Sequence, residues 1–300
     1  MLRLTTAGLG RATIPDQTVT AHVQAEGLKY DPVYGWVREN LPDRFMNVDV
    51  NGFRHAEALT KDKPDGGWRA FTMGDSQTYG AGVMVGESYP AFAEASLRAS
   101  RPDRRVEVIN TGLSGYGSLQ ALRLIQHKLL DWDPDLLIVD CQANDQPRDG
   151  LTPQGQLSAV QRLLFNYRTY YVLRFAIDRA SGRSATPIAV HQGGGPNMAN
   201  GNHDVIMQVA ADAGVPVVFL DYPFWNHNNP AARSSEIIAC LAPAERLPQG
   251  AVVIPVCQAL KSSGYAANQM FLDNNHLSAL GNKIVGEALA QGIRDLGLGP

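Results

Sequence analysis

Short apolar runs closed by turn residues alternate along this chain with longer stretches whose apolar positions recur every three or four residues. The runs "WRAFTMG" (68–74), "VEVIN" (106–110), "DLLIVDCQ" (135–142) and "VPVVFLD" (215–221) have the length and the bounding residues of buried strands. Between and after them, "SYPAFAEASLRAS" (88–100), "SLQALRLIQHKLLDW" (118–132), "HDVIMQVAADAG" (203–214) and "HLSALGNKIVGEALAQGIRDLG" (276–297) have helical spacing. Strand and helix in this rhythm predict a parallel sheet covered on both faces. In such sheets ligands gather beyond the carboxyl ends of the strands, so the turns that follow strands are where chemistry is to be sought.

Two regions interrupt the rhythm. Residues 1–66 are irregular and rich in Asp, Asn, Pro and Gly, with apolar clusters only in "VYGWV" and "MNVDVNGFRH"; they read as an extension of loops and short strands packed on the main domain at 67–300. A helical insertion is expected at about 146–200. Within it Val160, Leu164, Tyr167, Tyr171 and Phe175 share one helical face, which reads first as a core-facing stripe and otherwise as a roof over a pocket. The "GGGPNMANGN" that follows reads as a mobile loop.

Composition narrows the function classes. A chain of 300 residues with 44% hydrophobic and 18% charged positions and a net charge of -3 is globular, and it has no basic footprint for nucleic acid. The start lacks an apolar run of signal-peptide length and no stretch approaches a membrane span, so a cytoplasmic location is expected. Cys141, Cys240 and Cys257 form an odd set without a CxxC pair, which argues against a disulfide framework or a four-ligand zinc site. Free thiols are expected, with a single Cys240–Cys257 bond as the alternative. Nothing in the chain sets an oligomeric state.

Four turns that follow strands, or precede the last helix, carry reactive side chains. Ser76 stands in "GDSQTYG" at the end of the first long run, where a hydroxyl would lie at the functional edge of the sheet beside helix N-terminal amides; taken alone it is more simply a turn or N-cap serine. His276, in "DNNH", has Asp273 three positions ahead, able to fix the imidazole tautomer while the other nitrogen accepts a proton. "NTGLSGYGS" offers backbone amides at close approach, and "QAND" offers the side-chain amide of Asn144, both suited to an oxyanion.

This order of blocks resembles the SGNH hydrolase superfamily, the GDSL-type esterases and lipases, from about Trp68 to the C-terminus, and "YDPVYGWV" with "NVDVNGFRH" resembles the N-terminal extensions of some bacterial members. The resemblance implies a three-layer α/β/α sandwich, flavodoxin-like, with a central parallel sheet. It implies Ser76 as nucleophile, His276 as general base and Asp273 as its orienting partner, with the amides of Ser76 and Gly115 and the side chain of Asn144 as the oxyanion hole. It implies no metal and no organic cofactor, and a small-molecule or carbohydrate ester as substrate. Three points depart from the family's pattern or leave a choice: Gln77 replaces the leucine of the family's name, a position outside the chemistry; Gln142 stands where glycine is common, which puts the placement of Asn144 in question; and the glycine block offers Gly112, Gly115 and Gly117, of which Gly115 is taken by its match within "LSGYG".

Other readings fit less of the chain. The segment 106–124, with Asp140 beyond it, could be a dinucleotide site, but its glycine spacing is not GxGxxG. "DWDPD" lacks the glycine and distal glutamate of a calcium loop and reads as solvated turn, and His191, His203 and His227 read as surface or loop histidines. The expected activity is hydrolysis of a carboxylic ester through an acyl-serine. An acyltransferase with the same triad, a lipase or thioesterase on longer chains, and a non-catalytic carbohydrate-binding module are the alternatives.

Overall fold

The computed structural model describes residues 28–31, 33–38, 47–141, 144–145, 196–225, 238–241 and 247–300. The helix expected around Val160–Phe175, His191 and His227, and the Gln142 position all lie outside them.

Five strands build the central sheet: β3 (Trp68–Gly74), β4 (Val106–Asn110), β5 (Leu136–Asp140), β6 (Val217–Leu220) and β9 (Val252–Ile254). Every pairing is parallel and the order is β4-β3-β5-β6-β9. Counted within the sheet this is 2-1-3-4-5, the flavodoxin-like order, whose direction reverses between β3 and its neighbours β4 and β5. The first two runs at this reversal end in Gly74 and Asn110, so their turns open side by side.

Successive residues of a strand face opposite ways, and here both faces are apolar. Trp68, Ala70, Val106, Val108, Leu136, Ile138, Val218 and Leu220 enter one core. Phe71, Met73, Ile109, Leu137, Val139 and Phe219 enter the other. The first core is closed by α2 (Tyr89–Ser100) and the long last helix, α7 (Ala279–Asp295), which pack together where Gly286 lets them approach: a Cβ there would sit 2.5 Å from the Tyr89 carbonyl oxygen. The second is closed by α3 (Ser118–His127) and α4 (Pro196–Asp212), with Phe53 from the preceding segment inserted beside Trp132 at a ring separation of 4.9 Å. The layers are therefore helix, sheet, helix.

Three features differ from the sequence expectation. The loop expected before residue 202 is already helical from Pro196, a first helical position at which a residue without an N–H loses no intrahelical bond. A hairpin of β7 (Tyr222–Trp225) and β8 (Ile238–Leu241), and the edge strand β9, were not evident from spacing. Cys240 and Cys257 are bonded, joining β8 to the short helix α5 (Val256–Ser262) across a Cα separation of 5.9 Å, so the free-thiol expectation holds only for Cys141.

Before the sheet, β1 (Leu28–Asp31) and β2 (Gly35–Arg38) form an antiparallel hairpin, and residues 48 and 54 form a bridge that Arg54 continues to Asn110. At the far end of β3, buried Arg69 pairs with Glu107 at 2.8 Å and donates to the carbonyls of Thr60, Lys61 and Trp132. The "DWDPD" acids are surface partners of lysines: Lys63 reaches Asp133 and Asp135 at 3.0 and 2.9 Å.

Candidate active site

Beyond β3 the chain turns through Gly74 and Asp75 into α1 (Ser76–Tyr79). Gly74 is required by proximity, since a Cβ there would strike Thr78 Oγ1 and the Asp140 carbonyl oxygen. Asp75 caps the helix by accepting from the Gln77 N–H at 2.8 Å, and Gly80 ends it in a left-handed conformation at φ +81°. Ser76 thus occupies the first turn of a short helix clamped at both ends.

The partner arrives from the other end of the chain. Between α6 (Ala267–Met270) and α7, Asp273 folds back on its own loop: its Oδ1 accepts from the N–H groups of Asn275 and His276 at 2.9 and 2.8 Å, and its Oδ2 faces His276 Nδ1 at 2.7 Å. An ionised carboxylate has no hydrogen to give, so Nδ1 carries the imidazole hydrogen and Nε2 holds a lone pair. That lone pair faces Ser76 Oγ at 2.8 Å. Burial pushes the Asp273 carboxyl up, but the bonds from His276 and from the two backbone amides prevail and hold it below the usual aspartate value. It is therefore an anion wherever the imidazole needs one.

The remaining residues named from sequence converge on the same edge. Gly115 lies beyond β4 at φ +80°, a left-handed conformation that glycine adopts without strain. Asn144 lies beyond β5, and its Nδ2 donates to Asp75 Oδ2 at 3.0 Å and to the Tyr116 carbonyl at 3.2 Å. The Asn144 amide thus ties the turn before Ser76 to the turn after Gly115, and its hydrogens are directed at protein acceptors.

Three further side chains change the sequence picture. His203 is not at the surface: it is 1% exposed on α4, edge-on to Phe219, with Nε2 3.4 Å from Asp145 Oδ2. The signal was its spacing, three and seven positions before the buried Ile206 and Ala210. Asp140, which the dinucleotide reading placed beyond its glycine segment, is buried beneath α1, where Thr78 Oγ1 and Tyr89 OH donate to Oδ2 at 3.2 and 3.4 Å. Burial, and then the nearby charge of Asp75, push its carboxyl well above the usual range, which favours the protonated form. Gln77, which the sequence left outside the chemistry, reaches the loop of His276.

A solved structure shares this fold at low sequence identity. An α/β hydrolase enzyme from the metagenome of Lake Arreo, Spain, is 17% identical, with 77% of this chain and 96% of that one covered at a TM-score of 0.50. An acetylxylan esterase from Geobacillus stearothermophilus is 14% identical over 77% of this chain and 96% of its own, at a TM-score of 0.47. No curated protein matches. The GDSL-like lipase/acylhydrolase family model matches residues 72–284, a span that holds Ser76, Gly115, Asn144, Asp273 and His276. More than two thirds of the chain falls within that match, and the chain belongs to the GDSL-like lipase/acylhydrolase family and is a carboxylic ester hydrolase.

Proposed function

We propose that this chain is a serine esterase that cleaves a short acyl group from a carbohydrate or small metabolite through an acyl-serine intermediate. The observation that carries the reading is the unbroken line from Asp273 through the His276 imidazole to the Ser76 hydroxyl, with contacts of 2.7 and 2.8 Å. His276 Nε2 takes the Ser76 proton as Oγ bonds to the ester carbonyl carbon, and Asp273 stabilises the imidazolium that forms. The amides of Ser76 and Gly115, and Asn144 once it exchanges a protein acceptor for substrate, receive the negative charge on the former carbonyl oxygen. As the tetrahedral centre collapses, the alcohol leaves with the imidazolium proton. A water activated by the same nitrogen then adds to the acyl-serine, and collapse releases the acid and restores Ser76.

Support for a short acyl group on a polar alcohol comes from the residues around the hydroxyl. The two loops that meet at this edge carry Asn144 and the run Asp273, Asn274 and Asn275, a polar composition better matched to hydroxyl-rich alcohols than to a long acyl chain. A p-nitrophenyl ester series with acetylated oligosaccharides tests this. Activity highest on acetate, falling by roughly tenfold or more by octanoate, is expected. A preference for long chains contradicts the substrate class.

A further inference from the structure

Gln77 is the neighbour of the hydroxyl-bearing residue, is 3% exposed, and sends its side chain away from its own helix. Its Nε2 donates to the Asn275 carbonyl at 2.5 Å and to the Pro223 carbonyl on β7 at 3.1 Å. Both partners are pure acceptors, so only the NH2 edge of the amide fits between them. These segments lie 198 and 146 positions away in sequence, yet they share one side-chain amide.

The contact falls on a decisive bond. The peptide group joining Asn275 to His276 presents its N–H to Asp273 Oδ1 at 2.8 Å and its C=O to Gln77. Both ends of that plane are therefore held, and the plane sets the direction in which the His276 side chain leaves the backbone. The preceding carbonyl, of Asn274, is held by the Trp225 N–H at 2.7 Å. Asp273 grips the loop from within, whereas Gln77 and β7 grip it from outside. Of these holds only Gln77 comes from the helix that carries Ser76, so it references the imidazole to the hydroxyl directly. A leucine, as in the family's name, could donate to neither carbonyl.

We propose that Gln77 is a positioning residue that fixes the reach of the His276 imidazole to Ser76 by anchoring the Asn275–His276 peptide to α1, an inference that rests on the serine-esterase reading. Its effect falls on the attack step and not on substrate binding. A displacement of about 1 Å between reacting groups is enough to lower a rate by as much as a hundredfold.

The test compares wild type, Gln77→Met and Gln77→Glu on p-nitrophenyl acetate and in the rate of labelling by a fluorophosphonate. Methionine has similar length and no donor. It should lower kcat and the labelling rate together, by about ten- to a hundredfold, with KM within about twofold and the unfolding midpoint little changed. Glutamate keeps the shape but turns oxygens toward two carbonyls at neutral pH. Its labelling rate at neutral pH should fall at least as far as that of Gln77→Met, because an ionised carboxylate can donate to neither carbonyl. Wild-type kcat in Gln77→Met, a loss confined to KM, or a Gln77→Glu enzyme that labels at the wild-type rate would each overturn the proposal. Ser76→Ala run alongside separates the two claims: activity that survives it defeats the esterase reading, whereas normal Gln77 variants of a Ser76-dependent enzyme defeat only the positioning role.

Discussion

Asn144 and Asp140 show how much a single side chain's surroundings decide. Asn144 spends its amide hydrogens on Asp75 and Tyr116, holding the turns before Ser76 and after Gly115 at a common spacing. Whether it then serves the oxyanion is separable from that bracing. Asn144→Ala should lower kcat by roughly a hundredfold or more if it donates to the transition state, with little change in KM, whereas near-normal kcat would leave it a brace alone. Asp140 makes a prediction in stability instead. Below about pH 3.9 it is protonated in both folded and unfolded chains; above that the unfolded chain sheds the proton while the native one keeps it, so its burial costs stability as pH rises. Asp140→Asn, which never ionises, should unfold at a higher temperature than wild type near pH 7.5, with the gain vanishing toward pH 4. A gain independent of pH would show that Asp140 is not held neutral.

At the scale of elements, the segment 47–55 braces the helix that carries the hydroxyl. Arg54 donates to the carbonyls of Tyr79 and Val83 at 2.6 and 2.7 Å, closing the end of α1 and the turn after it. His55 Nε2 meets Glu94 Oε2 on α2 at 2.8 Å, and the same oxygen accepts from the Val108 N–H at 2.8 Å, so one carboxylate joins the segment, α2 and β4. Burial opposes a charge on His55, but the hydrogen bond and the charge of Glu94 outweigh it and raise the imidazole above its usual value. A raised value contributes stability that is complete below the unfolded-state value of about 6.5 and is lost as pH climbs through the folded one. The gap in unfolding midpoint between wild type and His55→Leu should therefore be widest near pH 6 and narrow as the pH rises past the imidazole's usual value. A constant gap would mean that the pair contributes packing without charge.

Elements differed in how plainly the chain announced them. β3, β4, β5 and β6 were legible because each is apolar on both faces, and Ser76 was legible because Gly-Asp-Ser follows such a run. β9 is three residues between Gly250 and Pro255, and β7 is four residues with Pro223 inside; segments that short carry no period, and their partners make them strands. The Cys240–Cys257 bond stood in the sequence only as the alternative to free thiols, since it depends on α5 docking beside β8. Gln77 was passed over because its role lies in a contact 198 positions away, which local spacing does not record.

For the whole molecule the central matter is convergence. A flavodoxin-like sheet brings the ends of β3, β4 and β5 together at its reversal point, and the loop before α7 completes the site by placing the His276 imidazole 2.8 Å from the Ser76 hydroxyl. Among the described residues no helix is long and apolar enough to cross a membrane. The measurement that tests the account most directly is labelling of the intact protein with a fluorophosphonate, with the modified peptide identified by mass spectrometry in wild type, Ser76→Ala and His276→Ala. The account predicts one adduct, on Ser76, absent from Ser76→Ala and formed at least about a hundredfold more slowly in His276→Ala, with ester hydrolysis falling in parallel. An adduct on another residue, or undiminished hydrolysis by Ser76→Ala, would contradict it.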